Sequence, residues 1–255
     1  MSPFYSTKFQ REFYDELTQK KVRSKKPFSC GYEDRYNPRL IIDDEQSYAL
    51  FNDLAFHFVP HGKKVVLLDL CTGSGIYLPI LSKYAETVIG VDISWGLLKK
   101  AQEMKEELGL ENVMLFQAQA ESIPLKRDIF DLVIMIDAIH HVENQEKVMT
   151  EVQKVAKKGA LFLLIEPNIM NPLAFLAHLI PEEERGALRS NTKGGLRRLL
   201  RSYLDELQIK PFNHIASSRT TFRRQIIFKT IEWLCRTIFF FWPIRVLVQG
   251  RVKKT

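Results

Sequence analysis

The chain is 255 residues long, with 45% hydrophobic and 26% charged side chains, the balance of a soluble globular domain with one sizeable core. Its formal net charge of +7 is one-sided, because residues 181–255 carry net +10 and residues 1–180 net −3. Such a basic third suits an anionic partner (a phosphate-bearing substrate, a lipid surface or nucleic acid) as readily as a plain solvated face. Cys30, Cys71 and Cys235 are odd in number and far apart, which excludes a disulfide framework and a zinc-ligand pair and implies a reducing cytoplasm. Residues 4–9 lack the apolar stretch of a signal peptide.

In chain order, Phe9, Phe13 and Leu17 recur every four residues, which predicts an amphipathic helix. A basic connector follows at 20–26, then a second helix over 43–58 with Asp43 or Asp44 as its N-cap. An apolar run at 65–68 predicts a buried strand. It meets Asp69 and the turn Leu70-Cys71-Thr72-Gly73-Ser74-Gly75, after which 76–84 has a helical pattern. Strand, glycine turn and helix make a nucleotide-type site, because glycine admits a ligand to the backbone and a helix start offers free N–H groups. Val88-Ile89-Gly90-Val91-Asp92 is a second strand ending in an acid suited to ribose hydroxyls. Further strands are predicted at 113–117, 130–137 and 160–166, with helices at 94–108 and 144–157 between them. This alternation predicts a parallel sheet with helices on both faces.

The order and spacing over 62–168 resemble the class I S-adenosylmethionine-dependent methyltransferases of small-molecule type. The carriers are Asp69, Cys71, Gly73 and Gly75 in place of an acid and three alternate glycines, Asp92, the run Ala120-Glu121-Ser122-Ile123-Pro124-Leu125, and Phe130-Asp131-Leu132-Val133 with Ile139-His140-His141-Val142. The resemblance implies an α/β fold: a doubly wound, mostly parallel, seven-stranded Rossmann-like sheet with an N-terminal helical cap (1–61), a cofactor-binding core (62–168) and a substrate lid with sheet-completing strands (169–255). It implies S-adenosylmethionine as cofactor. Gly73 and Gly75 then meet its methionine and ribose parts alongside Thr72, Asp69 orders the turn, Asp92 takes the ribose hydroxyls and Ile93 packs on adenine. Gln119 and the Ala120 N–H address the adenine edge, and Asp137 shares the rim with them. Cys71 stands at a position that governs close packing more than the sign of the backbone angle.

Methyl transfer from a sulfonium needs mainly positioning, with a base where the acceptor is a hydroxyl. His140 is the first candidate, His141 the second and Glu166 the third; each has a purely structural alternative, as a loop-holding side chain. His57 and His61 have metal-like spacing interrupted by Pro60, so no metal is assigned, and His178 and His214 have no partner in sequence. Tyr32, Tyr36 and Tyr48 lie where N-terminal helices cover the cofactor in the resembling family.

Residues 166–172 are expected to form a loop walling the substrate site. Arg185, Arg189, Lys193, Arg197, Arg198 and Arg201 fall in a lid-like insert, with a helix over 196–207. An apolar helix over 221–241 is crossed by Lys229, Glu232 and Arg236 and falls short of about 18 uninterrupted apolar residues. It fits burial against the sheet or in a homodimer, or a membrane interface with Trp233 and Trp242 at headgroup level. Strands at 209–217 and 244–250 close the sheet as a hairpin. The substrate implied is a small amphiphilic or phosphate-bearing molecule, O-methylation first. Nucleic acid is not favoured, for want of interleaved aromatics. A non-catalytic binding protein of the same fold is the rival, supported by Cys71 and Gln119.

Overall fold

The computed structural model describes residues 6–20, 35–59, 64–214, 222–237 and 241–254. Helices α1 (Thr7–Lys20) and α2 (Glu45–Phe58) precede strand β1 (Val66–Leu70). Then come α3 (Leu78–Tyr84), β2 (Thr87–Asp92), α4 (Trp95–Glu107), β3 (Val113–Gln117), β4 (Phe130–Ile136), α5 (Gln145–Val155) and β5 (Ala156–Pro167). After β5 lie α6 (Pro172–Leu179), a 3-10 turn at Glu182–Glu184, α7 (Ala187–Ser190) and α8 (Lys193–Leu200). Strand β6 (Leu204–Phe212), α9 (Phe222–Thr237) and β7 (Arg245–Val252) complete the described elements.

The seven strands form one sheet in the order β3-β2-β1-β4-β5-β7-β6. β1 pairs in parallel with β2 and β4, β2 with β3, and β4 with β5, whereas β7 runs antiparallel to both β5 and β6. The expected doubly wound α/β sheet with its closing hairpin is what the chain forms. One core layer gathers Leu68, Leu70, Val133, Met135 and Phe162 under α5 and α8; the other gathers Leu67, Val88, Leu132, Ala101 and Leu78 under α3 and α4. Each such fully buried side chain stabilises the fold by about 1.5–3 kcal/mol. Successive β1 residues alternate between these layers, so a continuous apolar run is required of a strand covered on both faces. The strand order reverses between β1 and β4, which opens a crevice at their C-terminal ends.

Helix starts follow their side chains. Asp44, Ser94, Asn144, Asn171 and Thr192 each accept a hydrogen bond from the first turn of α2, α4, α5, α6 and α8.

Three expectations need correction. Residues 204–207 belong to β6, not to a helix over 196–207; α8 stops at Leu200. Glu206 has φ +53° and the β6–β7 register shifts between Asp205 and Gln208, so a bulge removes the strand alternation from the sequence there. On α1 the buried side chains are Gln10, Tyr14 and Thr18, one residue on from the predicted face. Finally, α9 is buried against the rest of the chain on one side only: Cys235 is fully buried, whereas Ile226, Ile227 and Trp233 are all at least half exposed. No helix among the described residues is long and apolar enough to cross a membrane. Residues 21–26 of the basic connector, Tyr32, His61 and residues 215–217 lie outside the described residues, and Lys20 ends α1.

Candidate active site

A cavity of about 420 Å³ opens at the crevice. At one end the β1 turn and the end of β2 supply Asp69, Cys71, Thr72, Gly73, Ser74, Asp92 and Ile93. The Thr72 hydroxyl donates to Asp69 at 2.5 Å and the Thr72 N–H to the Val91 carbonyl at 3.0 Å. Asp92 accepts the Gly73 N–H at 2.8 Å on one oxygen and the Ser94 N–H at 2.9 Å on the other. The Ile93 N–H also bonds this carboxylate, so of about four acceptor sites on its two oxygens at least one remains. Burial pushes the Asp69 carboxyl up to about 7, opposed by the Thr72 hydroxyl. Burial likewise pushes Asp92 to about 6, opposed by the Ser94 and Gly73 N–H groups.

The turn residues divide their work differently from the expected scheme. Cys71 has φ +63°, so its position demands a left-handed backbone, which a non-glycine residue adopts at a cost. Gly75 is the close-packing position: a Cβ there would lie 2.7 Å from Leu78 and 3.0 Å from the Ala101 methyl. Gly73, with φ +58°, has nothing nearer than 4.0 Å to a would-be Cβ. The backbone there is open to a ligand.

The N-terminal helix is pinned across this end. Asp15 accepts the Ser94 hydroxyl at 2.6 Å and the Gly96 N–H at 2.8 Å, at the start of α4. Thr7 donates its N–H and hydroxyl to Glu143, both at 3.0 Å. Between these anchors Tyr14 reaches His141, with its hydroxyl 3.1 Å from Nε2.

The loop after β4 forms the opposite wall. Glu166, at the end of β5, accepts the Ala138 and Ile139 N–H groups on one oxygen at 2.8 and 2.9 Å. Its other oxygen meets His140 Nδ1 and the Asn191 amide, both at 2.5 Å. His140 Nε2 lies 3.3 Å from Glu184, which also pairs with Arg35. Burial opposes a charge on His140, but the two carboxylates override it and push its pKa up to about 9. Burial and the neighbouring His140 charge hold His141 well below the ordinary histidine value, and burial lowers His178 to about 4. Two adjacent histidines are thus driven apart, one cationic and one neutral. His140, His141 and Glu184 bring ligand-type atoms within 4.8 Å of one another, but a His140 protonated on both nitrogens has no lone pair for a metal.

His140 and Glu166 have no exposed surface and do not line the cavity, so neither touches a bound molecule; they hold the loop. His141 does line it, which reverses the order expected of the pair. Gln119 is exposed and outside the walls, and Ala118, Ala120 and Glu121 stand there instead. Glu121 accepts the Glu143 and Asn144 N–H groups at 2.9 and 3.2 Å. Asp137, with φ +51°, lines the cavity paired with Arg245. Tyr36 lines it too, whereas Tyr48 stands outside against Lys83, and His57 is exposed against its own helix.

The basic insert does not face the cavity. Arg189 binds the carbonyls of His140, Val142 and Glu143 at 2.6–3.1 Å, Arg185 that of Leu179 at 2.9 Å, and Lys193, Arg197, Arg198 and Arg201 are exposed on α8 and after it. The loop at 166–172 walls the site through Pro167, while Asn168 and Asn171 donate to the carbonyls of Pro243 and Trp242, both at 2.8 Å. Beyond it Leu173, Ala174, Ala177 and Ile231 give the cavity an apolar side.

Sequence reasoning missed Tyr14, Arg35, Glu184 and Arg245, and left His178 and His214 without a role although both line the cavity. His214 meets the Ser47 hydroxyl at 2.8 Å and Glu232 at 3.4 Å. Tyr14 has a retrospective signal, the four-residue polar repeat Gln10-Tyr14-Thr18; Glu184 has none, sitting in an acidic run that reads as a solvated turn.

Residues 61–205 match the model of a methyltransferase domain. An uncharacterized methyltransferase of Bacillus subtilis, YcgJ, is 35% identical over 100 residues, 39% of this chain and 40% of the relative. A phosphatidylethanolamine N-methyltransferase of Cereibacter sphaeroides is 32% identical over 112 residues, 44% of this chain and 54% of the relative. The chain thus spans about half the length, or less, of these curated relatives. Among solved structures, a SAM-dependent methyltransferase from Aquifex aeolicus superposes with a TM-score of 0.57 at 20% identity, over 84% of this chain and 98% of that one; it shares the fold. With the family model covering more than half of the sequence, the chain belongs to the methyltransferase domain family.

Proposed function

We propose that this protein transfers the methyl group of S-adenosylmethionine to a hydroxyl of a small amphiphilic molecule. The observation that carries the reading is a single cavity joining the Gly73–Asp92 end to the Tyr14–His141 wall. The residues present fit the cofactor. Gly73 leaves its backbone open, Asp92 lines the cavity with acceptor capacity for a ribose hydroxyl, and the buried Ser74 hydroxyl on the wall has no hydrogen-bond partner among the described residues. Ile93 and Ala120 offer apolar contact to a base. When bound, S-adenosylmethionine supplies an electrophilic methyl group and a sulfonium charge.

The chain's own contribution is positioning and one proton. His141, neutral at ordinary pH, accepts the acceptor hydroxyl's proton on Nδ1, which has no hydrogen-bond partner among the described residues, while its Nε2–H donates to the Tyr14 hydroxyl oxygen and fixes the ring. The imidazolium so formed has Glu184 3.9 Å away, a fixed negative charge in a buried setting that stabilises it. Glu166, His140 and Arg189 keep the loop in place. The apolar wall from α6 and α9 excludes water and favours an acceptor with a hydrocarbon part. Names of relatives, including the phosphatidylethanolamine enzyme, support an amphiphilic acceptor.

The test is transfer of labelled methyl from the cofactor to a panel of hydroxylated amphiphiles. Label is expected on an acceptor oxygen with the wild type and not with His141→Ala. Label on nitrogen or carbon, unaffected by that substitution, overturns the hydroxyl reading. Cofactor binding with no transfer to any acceptor favours a binding protein of this fold.

A further inference from the structure

We infer that the solvent face of α6 and α9 is a docking surface for an anionic lipid bilayer. The face of α6 turned to solvent is wholly apolar: Leu173, Phe175, Leu176, Leu179 and Ile180 are exposed and the helix carries no charged residue. Helix α9 lies against it, since Asn171 at the start of α6 donates to Cys235 at 3.3 Å and Ala174, Cys235 and Ile244 pack together. Helix α9 adds Ile226, Ile227 and Trp233, the last 59% exposed, and after it come Phe241 at 72% and Trp242 at 46%. So many exposed apolar side chains on two packed helices mark a surface that is covered in use.

Charge selects the occupant. Lys229 and Arg236 are exposed on α9, one helical turn to either side of Trp233, whereas the helix's one acid, Glu232, turns inward to His214 at 3.4 Å. The C-terminal third carries net +10 and leaves its cations, Arg245 apart, outside the cavity. A face of Leu, Ile, Phe and Trp edged by Lys and Arg matches the headgroup–acyl boundary of an anionic bilayer. The helices are too short or too polar to span, so the protein would lie on the surface.

The same helices wall the cavity through Leu173, Ala174, Ala177 and Ile231. Docking therefore sets the acceptor end of the cavity against the lipid, and a lipid-borne hydroxyl compound reaches His141 without crossing water. This delivery rests on the methyl-transfer reading; the docking itself does not.

The test is co-sedimentation with vesicles of phosphatidylcholine alone and of phosphatidylcholine mixed with phosphatidylglycerol, in low and high salt, with S-adenosylmethionine binding measured separately. The expected result is binding to the anionic vesicles only, weakened by salt, and reduced by about tenfold or more in Leu176→Glu and in Trp233→Glu. Neither residue lines the cavity, so both variants should bind cofactor as the wild type does. Should a variant lose cofactor binding, Lys229→Glu with Arg236→Glu serves in its place, with the same expected loss. No vesicle binding, equal binding to neutral vesicles, or binding indifferent to all these variants overturns the proposal. So does a dimer in sedimentation velocity that Leu176→Glu dissociates, which would assign the face to a second copy. Loss of cofactor binding in the wild type would sink the methyl-transfer reading and leave docking standing.

Discussion

His140 and Glu166 meet at 2.5 Å with neither side chain exposed. Around this contact the loop after β4 is assembled, with Asn191 on the same carboxylate and Glu184 on the far side of the ring. A buried cation between two carboxylates makes the active-site wall a feature of folding stability as well as of chemistry.

That pairing predicts an alkaline loss of stability. Burial opposes the charge on His140, yet its carboxylates raise its pKa to about 9. A raised folded value means the stabilisation is complete below about 6.5, the unfolded value, and fades as pH rises through 9. Urea unfolding should show stability falling by about 3 kcal/mol across that window, with the fall abolished in His140→Gln. His178 works in the other window, losing stability as pH falls from its unfolded value towards 4. A flat wild-type profile on the alkaline side contradicts the assignment.

His141 is the group expected to matter for turnover. His141→Ala should lower kcat by about 10²–10⁴-fold with cofactor affinity little changed, and Tyr14→Phe by about tenfold, since it orients the ring without taking the proton. The acid limb of the rate profile should fall below the ordinary histidine value, because burial and the His140 charge depress His141. Equal losses in cofactor binding for His141→Ala would mean a structural role only.

The glycine turn offers a stability test. Cys71 sits at φ +63°, where a β-branched residue is worst placed. Cys71→Gly should change stability by no more than about 1 kcal/mol, whereas Cys71→Val should cost about 2 kcal/mol. Gly75→Ala should also cost about 2 kcal/mol, as Gly75 has φ +79° and its methyl would meet Leu78 at 2.7 Å. Thermal unfolding of the three variants distinguishes this division of roles from one in which Cys71 is merely a packing residue.

The core of the fold was legible because its signals are local. Apolar runs bounded by Asp69 and Asp92, and a glycine turn between strand and helix, each carry their meaning within a dozen residues. Strand β6 was not, because the bulge at Glu206 breaks the alternation that marks a strand. The Asp69–Asp92 end of the cavity was legible for the same reason, except for Gln119, which stands outside the walls, and Cys71, whose positive φ no local signal announces. The wall opposite was only half legible: His140 and His141 stand out in sequence, but which of them faces the cavity depends on Glu184, 44 residues from His140, and on Tyr14, 127 residues from His141. Arg35 and Arg245 were invisible among the many cations, since only their folded partners, Glu184 and Asp137, distinguish them.

The most direct measurement is calorimetric titration with S-adenosylmethionine and its demethylated product, in wild type and Asp92→Ala. The account predicts binding in the micromolar range, about −8 kcal/mol, lost in the variant while its unfolding transition remains cooperative. No binding of either ligand to the wild type would contradict it.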